Sequence, residues 1–164
     1  MITIRKAQLE DLPAITAIYQ KARDFMAANG NPTQWQGGYP TLDLLQDDIN
    51  IRGCLYVVEE DGVPHAAFAF MLGRDATYAV IENGSWLNDE APYGTIHRVG
   101  SDGTLHHVFA TVADYCKTII SNLRVDTHQD NLPMQHVITK YGFQYCGIIH
   151  VEDGSPRLAY QKQF

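Results

Sequence analysis

Two histidines in the sequence are suited to moving a proton at neutral pH. His97 lies within an otherwise apolar run that predicts a strand, and His128 follows the end of a second predicted strand. Because imidazole has an ordinary pKa of about 6.5, either side chain could take a proton from an amine or deliver one to a leaving group. A histidine in a strand is also often a hydrogen-bonded structural residue, and the sequence leaves both interpretations open.

A glycine-containing turn is the candidate site for an anion. Residues 100–104 (GSDGT) connect the strand of His97 to a predicted helix over 105–120. Such a junction directs backbone N–H groups and the positive end of the helix dipole at one point, which suits a pyrophosphate. Glycine turns also precede many helices for geometric reasons alone, so the turn by itself is a weak indication of function.

A second polar segment, residues 126–131 (DTHQDN), lies between a predicted strand and a predicted helix that begins at Leu132. Ligands commonly lie at this edge of an open sheet. A structural role is also available, because Asp130 and Asn131 are residue types that cap helices. We expect one of the two to be the cap.

Aromatic residues in a loop indicate either a pocket or a covered core edge. Residues 31–40 are rich in glycine, proline and polar side chains, yet they include Trp35 and Tyr39. The two rings could line a ligand pocket or act as a lid. They could equally cover the edge of the core, and the sequence does not separate these alternatives.

Cysteine and histidine spacing gives no support for a metal site. Cys54, Cys116 and Cys146 form no CxxC pair, so both a zinc site and a disulfide framework are disfavoured. His106 and His107 are adjacent, and neighbouring positions on a helix diverge by about 100°, so the two cannot comfortably share one ion. We therefore expect no metal, and we interpret the cysteines as buried thiols.

Composition narrows the class of protein. The chain has 164 residues, of which 45% are apolar, so we predict one domain over residues 1–164 with one core. Its net charge is −7 and no segment carries a run of Lys and Arg, which argues against nucleic-acid binding. No segment is apolar over the length of a membrane helix, and the first residues do not resemble a signal peptide, so a cytoplasmic location is expected.

The elements that must position these residues follow from hydrophobic periodicity. The predicted order is β, α, α, β, β, β, α, β, α, β, β, which indicates an α/β (α+β) protein with a mixed sheet flanked by helices. Helices are predicted over 9–29, from a cap at Thr41, over 105–120 and over 132–141, with a helical turn within 75–83. Strands are predicted over 2–5, 54–59, 63–72, 95–99, 123–126, 143–151 and 157–162.

Several segments resemble the GNAT family of N-acetyltransferases. Residues 2–7 (ITIRKA) and 10–15 (EDLPAI) resemble the opening of that family, and Asn131 with residues 140–143 (KYGF) resembles its late Asn-to-Gly-Phe motif. The resemblance covers essentially the whole chain and keeps the order of the elements. Segments that look like one bacterial subgroup, with the pattern DTHxDNxxM, are 126–134, 145–149 and 157–160.

The resemblance implies the GNAT fold, a mixed, mostly antiparallel sheet of about six to seven strands flanked by about four helices. Its central parallel strands, 95–101 and 123–126, are expected to splay and admit the pantetheine arm of acetyl-CoA. The implied cofactor-binding residues are Val99, Ser101, Gly103, Thr104, Leu105, His106, His107, Val108 and Asn131. The implied acceptor-binding residues are Trp35, Tyr39 and Glu82.

Two features depart from the family pattern. The phosphate-binding loop corresponds to residues 104–109, where His107 and Phe109 replace the small residues that let the backbone approach the phosphates. Ile138 stands where many members have the tyrosine that protonates the leaving thiolate, and Tyr141 is out of register by three positions. The two histidines described first are therefore the candidates for the catalytic residues.

The sequence supports two functions of different class. The first is an N-acetyltransferase that moves the acetyl group of acetyl-CoA to a primary amine of a small molecule or peptide by direct attack, without a metal. The alternative is a catalytically impaired acyl-CoA-binding or sensor module of the same fold, and an unrelated α/β protein with a chance match is a third interpretation. A homodimer is compatible with the sequence, and no nucleic-acid or membrane partner is expected.

Overall fold

The strands of the chain form a single seven-stranded sheet. The computed structural model describes residues 1–164. The strands are β1 (Ile2–Lys6), β2 (Leu55–Glu60), β3 (Val63–Leu72), β4 (Gly94–Ser101), β5 (Asn122–Thr127), β6 (Gln144–His150) and β7 (Pro156–Gln163). The helices are α1 (Leu12–Ala28), α2 (Leu42–Asp47), α3 (Val108–Lys117) and α4 (Leu132–Tyr141). The strand order is β1-β2-β3-β4-β5-β7-β6, and only β4 and β5 are parallel. This confirms the predicted mixed, mostly antiparallel sheet.

Helices cover both faces of the sheet. α3 and α4 pack on one face over a cluster of 15 buried residues that includes Phe68 and Ile96. α1 packs on the other face, where Ile15 and Tyr19 meet β2 and β3. A smaller cluster joins β6 and β7 to the segment before β4. The longest helix, α1, has 17 residues, and none of the helices has the length and hydropathy of a membrane span.

The helix caps predicted from the sequence are present. The Thr41 hydroxyl accepts a hydrogen bond from the Leu44 N–H at the start of α2, and the Asn131 side chain accepts one from the Met134 N–H at the start of α4. α4 ends at Gly142, whose φ of 110° is a conformation that glycine adopts without strain. The predicted bounds of this last helix are confirmed.

Two predicted helical segments are shorter than expected. α3 begins at Val108 and not at residue 105, because His107 has a left-handed backbone with a φ of 58°. Leu105 packs against the core from the loop before α3. Its apolar side chain fits the helical spacing of the sequence, and for that reason the predicted helix began one turn too early. Within residues 75–83 only Ala76–Tyr78 is helical, as a single 3₁₀ turn.

β4 and β5 are paired over only part of their length. Their parallel register ends at the pair Ile96–Val125, although β4 continues to Ser101 and β5 to Thr127. The two strands therefore part toward one edge of the sheet, and this confirms the predicted splay. Backbone groups that face such a gap have no partner strand and are free to bind an extended ligand.

A buried arginine fixes the segment between β3 and β4 to the sheet. The Arg124 guanidinium lies between the rings of Trp86 and Tyr93, 3.9 and 3.8 Å from their centroids. It donates to the Asn88 carbonyl and to the Asp89 carboxylate, each at 3.1 Å. The segment that it holds joins the 3₁₀ turn to β4, so this stack helps to place one wall of the site.

Replacing Arg124 with lysine should lower the free energy of unfolding by about 2 kcal/mol, because an ammonium group cannot stack between two rings. Urea unfolding followed by circular dichroism measures the loss. Arg74→Lys is the matched control, because exposed Arg74 pairs with the same Asp89 at 3.8 Å. The control should change stability by less than about 0.5 kcal/mol, and equal losses in the two variants would contradict the role of the stacked guanidinium.

Candidate functional site

Two clefts open at the gap between β4 and β5. The first, the loop cleft, has a volume of about 600 Å³ and lies between residues 33–39, the 3₁₀ turn, β4 and the β6–β7 hairpin. The second, the helix groove, has a volume of about 630 Å³ and lies between the end of β4, α1, α3 and α4. Met26, Val99, Asn131 and Met134 line both, so the two clefts meet where the strands part.

Most of the residues predicted for cofactor binding lie along the helix groove. Thr104 and His106 do not line it, because both are exposed on the outside of the turn before α3. The Thr104 N–H donates to the Asp102 carboxylate at 2.8 Å and so belongs to the turn itself. The predicted residues that line the groove are Val99, Ser101, Gly103, Leu105, His107, Val108 and Asn131.

The mouth of the helix groove is open. Gly103 has a φ of 85°, and no atom lies within 4 Å of the position that a side chain would occupy there. The Phe109 ring is turned into the core, with its centroid 6.1 Å from the Tyr141 ring and 5.7 Å from the Phe143 ring. His107 is exposed. The large side chains at positions 107 and 109 therefore do not close the groove.

The helix groove is basic. Lys21 and Lys140 line it together with His107 and His136. Asp102 is the one acidic lining residue, and its carboxylate is already bound to a histidine of β3 at 2.8 Å. These positive charges, together with the start of α3, where no side chain caps the helix, fit a phosphate-bearing ligand.

A bulge in β4 shapes the gap. Between His97 and Gly100, two residues of β4 oppose one residue of β3, and Arg98 takes a φ of 53°. The Tyr19 hydroxyl donates to the Arg98 carbonyl at 2.7 Å. The Tyr19 ring lies 2.8 Å from the position of a Cβ built on Gly100, so only glycine fits there. The bulge turns β4 away from β5 at the point where their pairing ends.

The Arg98 side chain is held by a buried carboxylate that the sequence analysis did not identify. Arg98 donates to Asp48 at 2.6 Å, and Arg52 donates to the same carboxylate at 3.2 Å. Asp48 is fully buried, and the Tyr39 hydroxyl accepts a further bond from Arg98 at 3.3 Å. The available signal was that Asp48 follows buried Leu45 by three positions and so shares its face.

His97 lines the loop cleft and pairs with a carboxylate. Its Nε2 lies 2.9 Å from Asp75 Oδ2, and Asp75 also accepts hydrogen bonds from the Thr77 N–H and hydroxyl. Burial alone would raise the pKa of Asp75, but the bonds from His97 and Thr77 outweigh it and lower the pKa to about 2. Asp75 is therefore ionised at neutral pH and orients the imidazole. Trp35 and Tyr39, predicted for acceptor binding, line the same cleft.

Two other predicted site residues lie outside both clefts. His128 Nδ1 accepts from the Asp130 N–H at 3.0 Å, and Nε2 lies 3.3 Å from the Thr33 hydroxyl, so both ring nitrogens are engaged in joining loops. Burial and the nearby Arg157 charge lower the pKa of His128, which keeps the ring neutral. Glu82 is exposed and pairs through its backbone with a residue of β6. The structure therefore brings neither side chain to the gap.

Thr127 brings a free hydroxyl to the loop cleft. It is the last residue of β5, it is fully buried, and its Oγ1 has no hydrogen-bond partner. Thr127 belongs to the polar segment 126–131 that the sequence marked as a possible ligand site, but it was not predicted as an individual site residue. Ile138 is fully buried in the core, and the Tyr141 hydroxyl donates to Asp114 at 2.6 Å. Neither of these two residues supplies an acid at the gap, and no group of three or more His, Cys, Asp or Glu side chains is placed to hold a metal ion.

The structure is similar to those of several acetyltransferases. A GNAT-family acetyltransferase from Streptococcus agalactiae 2603 matches with a TM-score of 0.90 and 32% sequence identity, over 99% of this chain and 95% of that one. A candidate acetyltransferase from Staphylococcus aureus Mu50 matches with a TM-score of 0.67 and 25% identity, over 98% of each chain. A GNAT-family acetyltransferase from Listeria monocytogenes 4b F2365 shares the fold, with a TM-score of 0.69 and 18% identity over 99% of this chain and 95% of that one. No protein-family model and no curated protein matches the sequence.

Proposed function

We propose that this chain, which belongs to the GNAT family of acetyltransferases, transfers the acetyl group of acetyl-CoA to a primary amine of a small molecule or peptide. The observation that carries the proposal is the meeting of two clefts at the parting of β4 and β5. A cofactor in the helix groove and an amine in the loop cleft would reach each other there. Holding two reactants in contact is itself a large part of catalysis.

The helix groove fits acetyl-CoA. Backbone groups of Val99 and Ser101, on the free edge of β4, would bind the pantetheine amides. The N-terminus of α3, reached past the open turn at Gly103, would bind the phosphates together with Lys21 and Lys140 of the same groove. Acetyl-CoA supplies the thioester when it is bound, and the backbone N–H near Val99 stabilises the oxyanion that forms on the carbonyl.

His97 is the proposed general base. An ionised carboxylate only accepts hydrogen bonds, so the Nε2 beside Asp75 carries the ring proton and Nδ1 is the basic nitrogen. Nδ1 takes one proton from the protonated amine, and the free amine nitrogen then attacks the thioester carbonyl. The second proton, lost as the amide forms, ends on the departing thiolate to give the CoA thiol. Asp75 acts through His97 by fixing its tautomer and orientation.

Direct attack is favoured over a covalent enzyme intermediate. None of the cysteines lines either cleft. Burial raises the pKa of Cys54 to about 11 and that of Cys116 to about 12, so neither is a thiolate at neutral pH. In place of the missing tyrosine acid, the Thr127 hydroxyl donates a hydrogen bond to the thiolate as it leaves.

Calorimetry with acetyl-CoA, followed by a thiol-release assay with a panel of amines, tests the proposed function. We expect saturable acetyl-CoA binding and thiol release that depends on the amine. Binding without release for every amine would instead show an acyl-CoA-binding module. If acetyl-CoA does not bind, both the acetyltransferase function and the acyl-CoA-binding function are excluded.

His97→Gln should lower kcat at least about a hundredfold, because the amine then loses its base. His128→Gln is the matched control and should keep its rate within about threefold, since His128 lies outside the clefts. A rate for His97→Gln that equals the rate of the control would contradict a histidine base at position 97.

Thr127→Val should lower kcat about tenfold while leaving KM for the amine little changed, because a hydrogen bond made only as the thiolate leaves is lost. Thr95→Val is the matched control. Thr95 also has a buried hydroxyl without a partner, but it does not line either cleft. Equal rates for the two variants would exclude a catalytic role for Thr127.

A further inference from the structure

Charged side chains of both signs line the loop cleft. Arg157 is bound to the loop of residues 33–39, since it donates to the Gln34 carbonyl at 3.4 Å. Arg98 is bound to the same loop through the Tyr39 hydroxyl at 3.3 Å, but Asp48 neutralises its charge. Two carboxylates are bound to the 3₁₀ turn and its cap, since Asp75 accepts from Thr77 and Asp126 accepts from Tyr78 at 2.6 Å, and we call this part of the lining the anionic wall.

Arg157 is a buried cation without a carboxylate partner. The residue is only 7% exposed, and its guanidinium donates to two backbone carbonyls, Pro156 at 2.9 Å and Gln34 at 3.4 Å. No carboxylate oxygen lies within 4.0 Å of it. Glu152 and Asp153 line the same cleft, but Asp153 accepts from the Ser155 N–H and hydroxyl. Burying an unpaired charge is costly, so such a group is suited to binding an anion.

The other well-buried arginines are neutralised. Arg98 lies 2.6 Å from Asp48, and Arg124 lies 3.1 Å from Asp89 and between two aromatic rings. Arg98 also lines the cleft, but Asp48 balances its charge, whereas Arg157 lines the cleft with no carboxylate in contact. Its planar fork matches the two oxygens of a carboxylate.

The anionic wall suits the other end of the same ligand. Asp126 is half-buried, and its carboxylate has a tyrosine hydroxyl as partner but no cation within 4.0 Å. Asp75 lies beside His97, the proposed base. An ammonium group held here would face the nitrogen that must deprotonate it before attack.

We propose that the acceptor is an amino acid or a similar zwitterion, whose carboxylate binds Arg157 while its amine lies against Asp75, Asp126 and His97. This rests on the proposed acetyltransferase function and names the acceptor class for the same cleft. A peptide N-terminus or a simple amine carries no carboxylate at that place, so it leaves Arg157 unpaired. The cost of that unpaired charge is the source of selectivity.

Acetylation of matched acceptors tests the inference. Each of the common L-amino acids is compared with its carboxamide, which also represents a peptide N-terminus, and with its decarboxylated amine. We expect at least one amino acid to exceed both analogues by about tenfold or more in kcat/KM, chiefly through KM. Arg157→Gln should reduce this ratio to within about threefold, and Arg157→Lys should keep part of it. Arg74→Gln, an exposed residue outside both clefts, is the control and should leave the ratio unchanged.

The ratio of kcat/KM values for two acceptors, measured on one variant, does not depend on the fraction of that variant that is folded. If a variant does not fold at all, the wild-type ratio is the test of the acceptor class. Thiol release with amines or carboxamides at rates equal to the amino acids would overturn the amino-acid assignment and leave the acetyltransferase function standing. An unchanged preference in Arg157→Gln would overturn the role of Arg157. No release with any acceptor, despite acetyl-CoA binding, would overturn the acetyltransferase function and with it the acceptor class.

Discussion

The parting of β4 from β5 fixes where the two clefts meet and which backbone groups of β4 have no partner strand. A bulge with a left-handed residue costs on the order of 1–3 kcal/mol, so it persists only where its surroundings hold it. Here the Arg98 carbonyl is bound by Tyr19 and its side chain by the fully buried Asp48. These contacts hold the bulge at the place where the pairing of β4 with β5 ends. The buried ion pair is therefore best understood as a device that fixes backbone shape.

The two clefts that meet at the gap are lined by different kinds of groups and are suited to different ligands. On the helix side, backbone groups and basic side chains face an open turn, which explains why large residues at positions 107 and 109 are tolerated once Phe109 packs into the core. On the loop side, paired and unpaired charges from distant parts of the chain line one cleft. In the proposed reaction only two side chains act on the reacting atoms. His97 is the base, and the Thr127 hydroxyl donates to the leaving thiolate.

The elements could be predicted from the sequence because they depend on local periodicity and caps, as the correct bounds of α4 show. The mostly antiparallel sheet with its splayed central strands was expected from the resemblance to the GNAT family, since strand pairing is not recorded in local periodicity. The site could be predicted only in part. By residue type alone, His97 and His128 were equally good candidates for a catalytic residue. His97 lies in the loop cleft, whereas both ring nitrogens of His128 are engaged in contacts between loops. Asp48 takes its role from Arg98, which is 50 positions away in the chain. Arg157 takes its role from having no carboxylate partner, although it is bound to the distant Gln34 carbonyl. Local sequence patterns record neither of these relations.

Hydrogen–deuterium exchange of the backbone amides, with and without acetyl-CoA, shows whether the gap between β4 and β5 holds the cofactor. If the free edge of β4 and the following turn hold it, amides of residues 99–104 should exchange at least about tenfold more slowly at saturation, while β2 serves as an unchanged reference. Unchanged exchange over residues 99–104 in a sample that binds acetyl-CoA would show that the cofactor does not lie in the gap. Protection confined to the loop cleft would show the same.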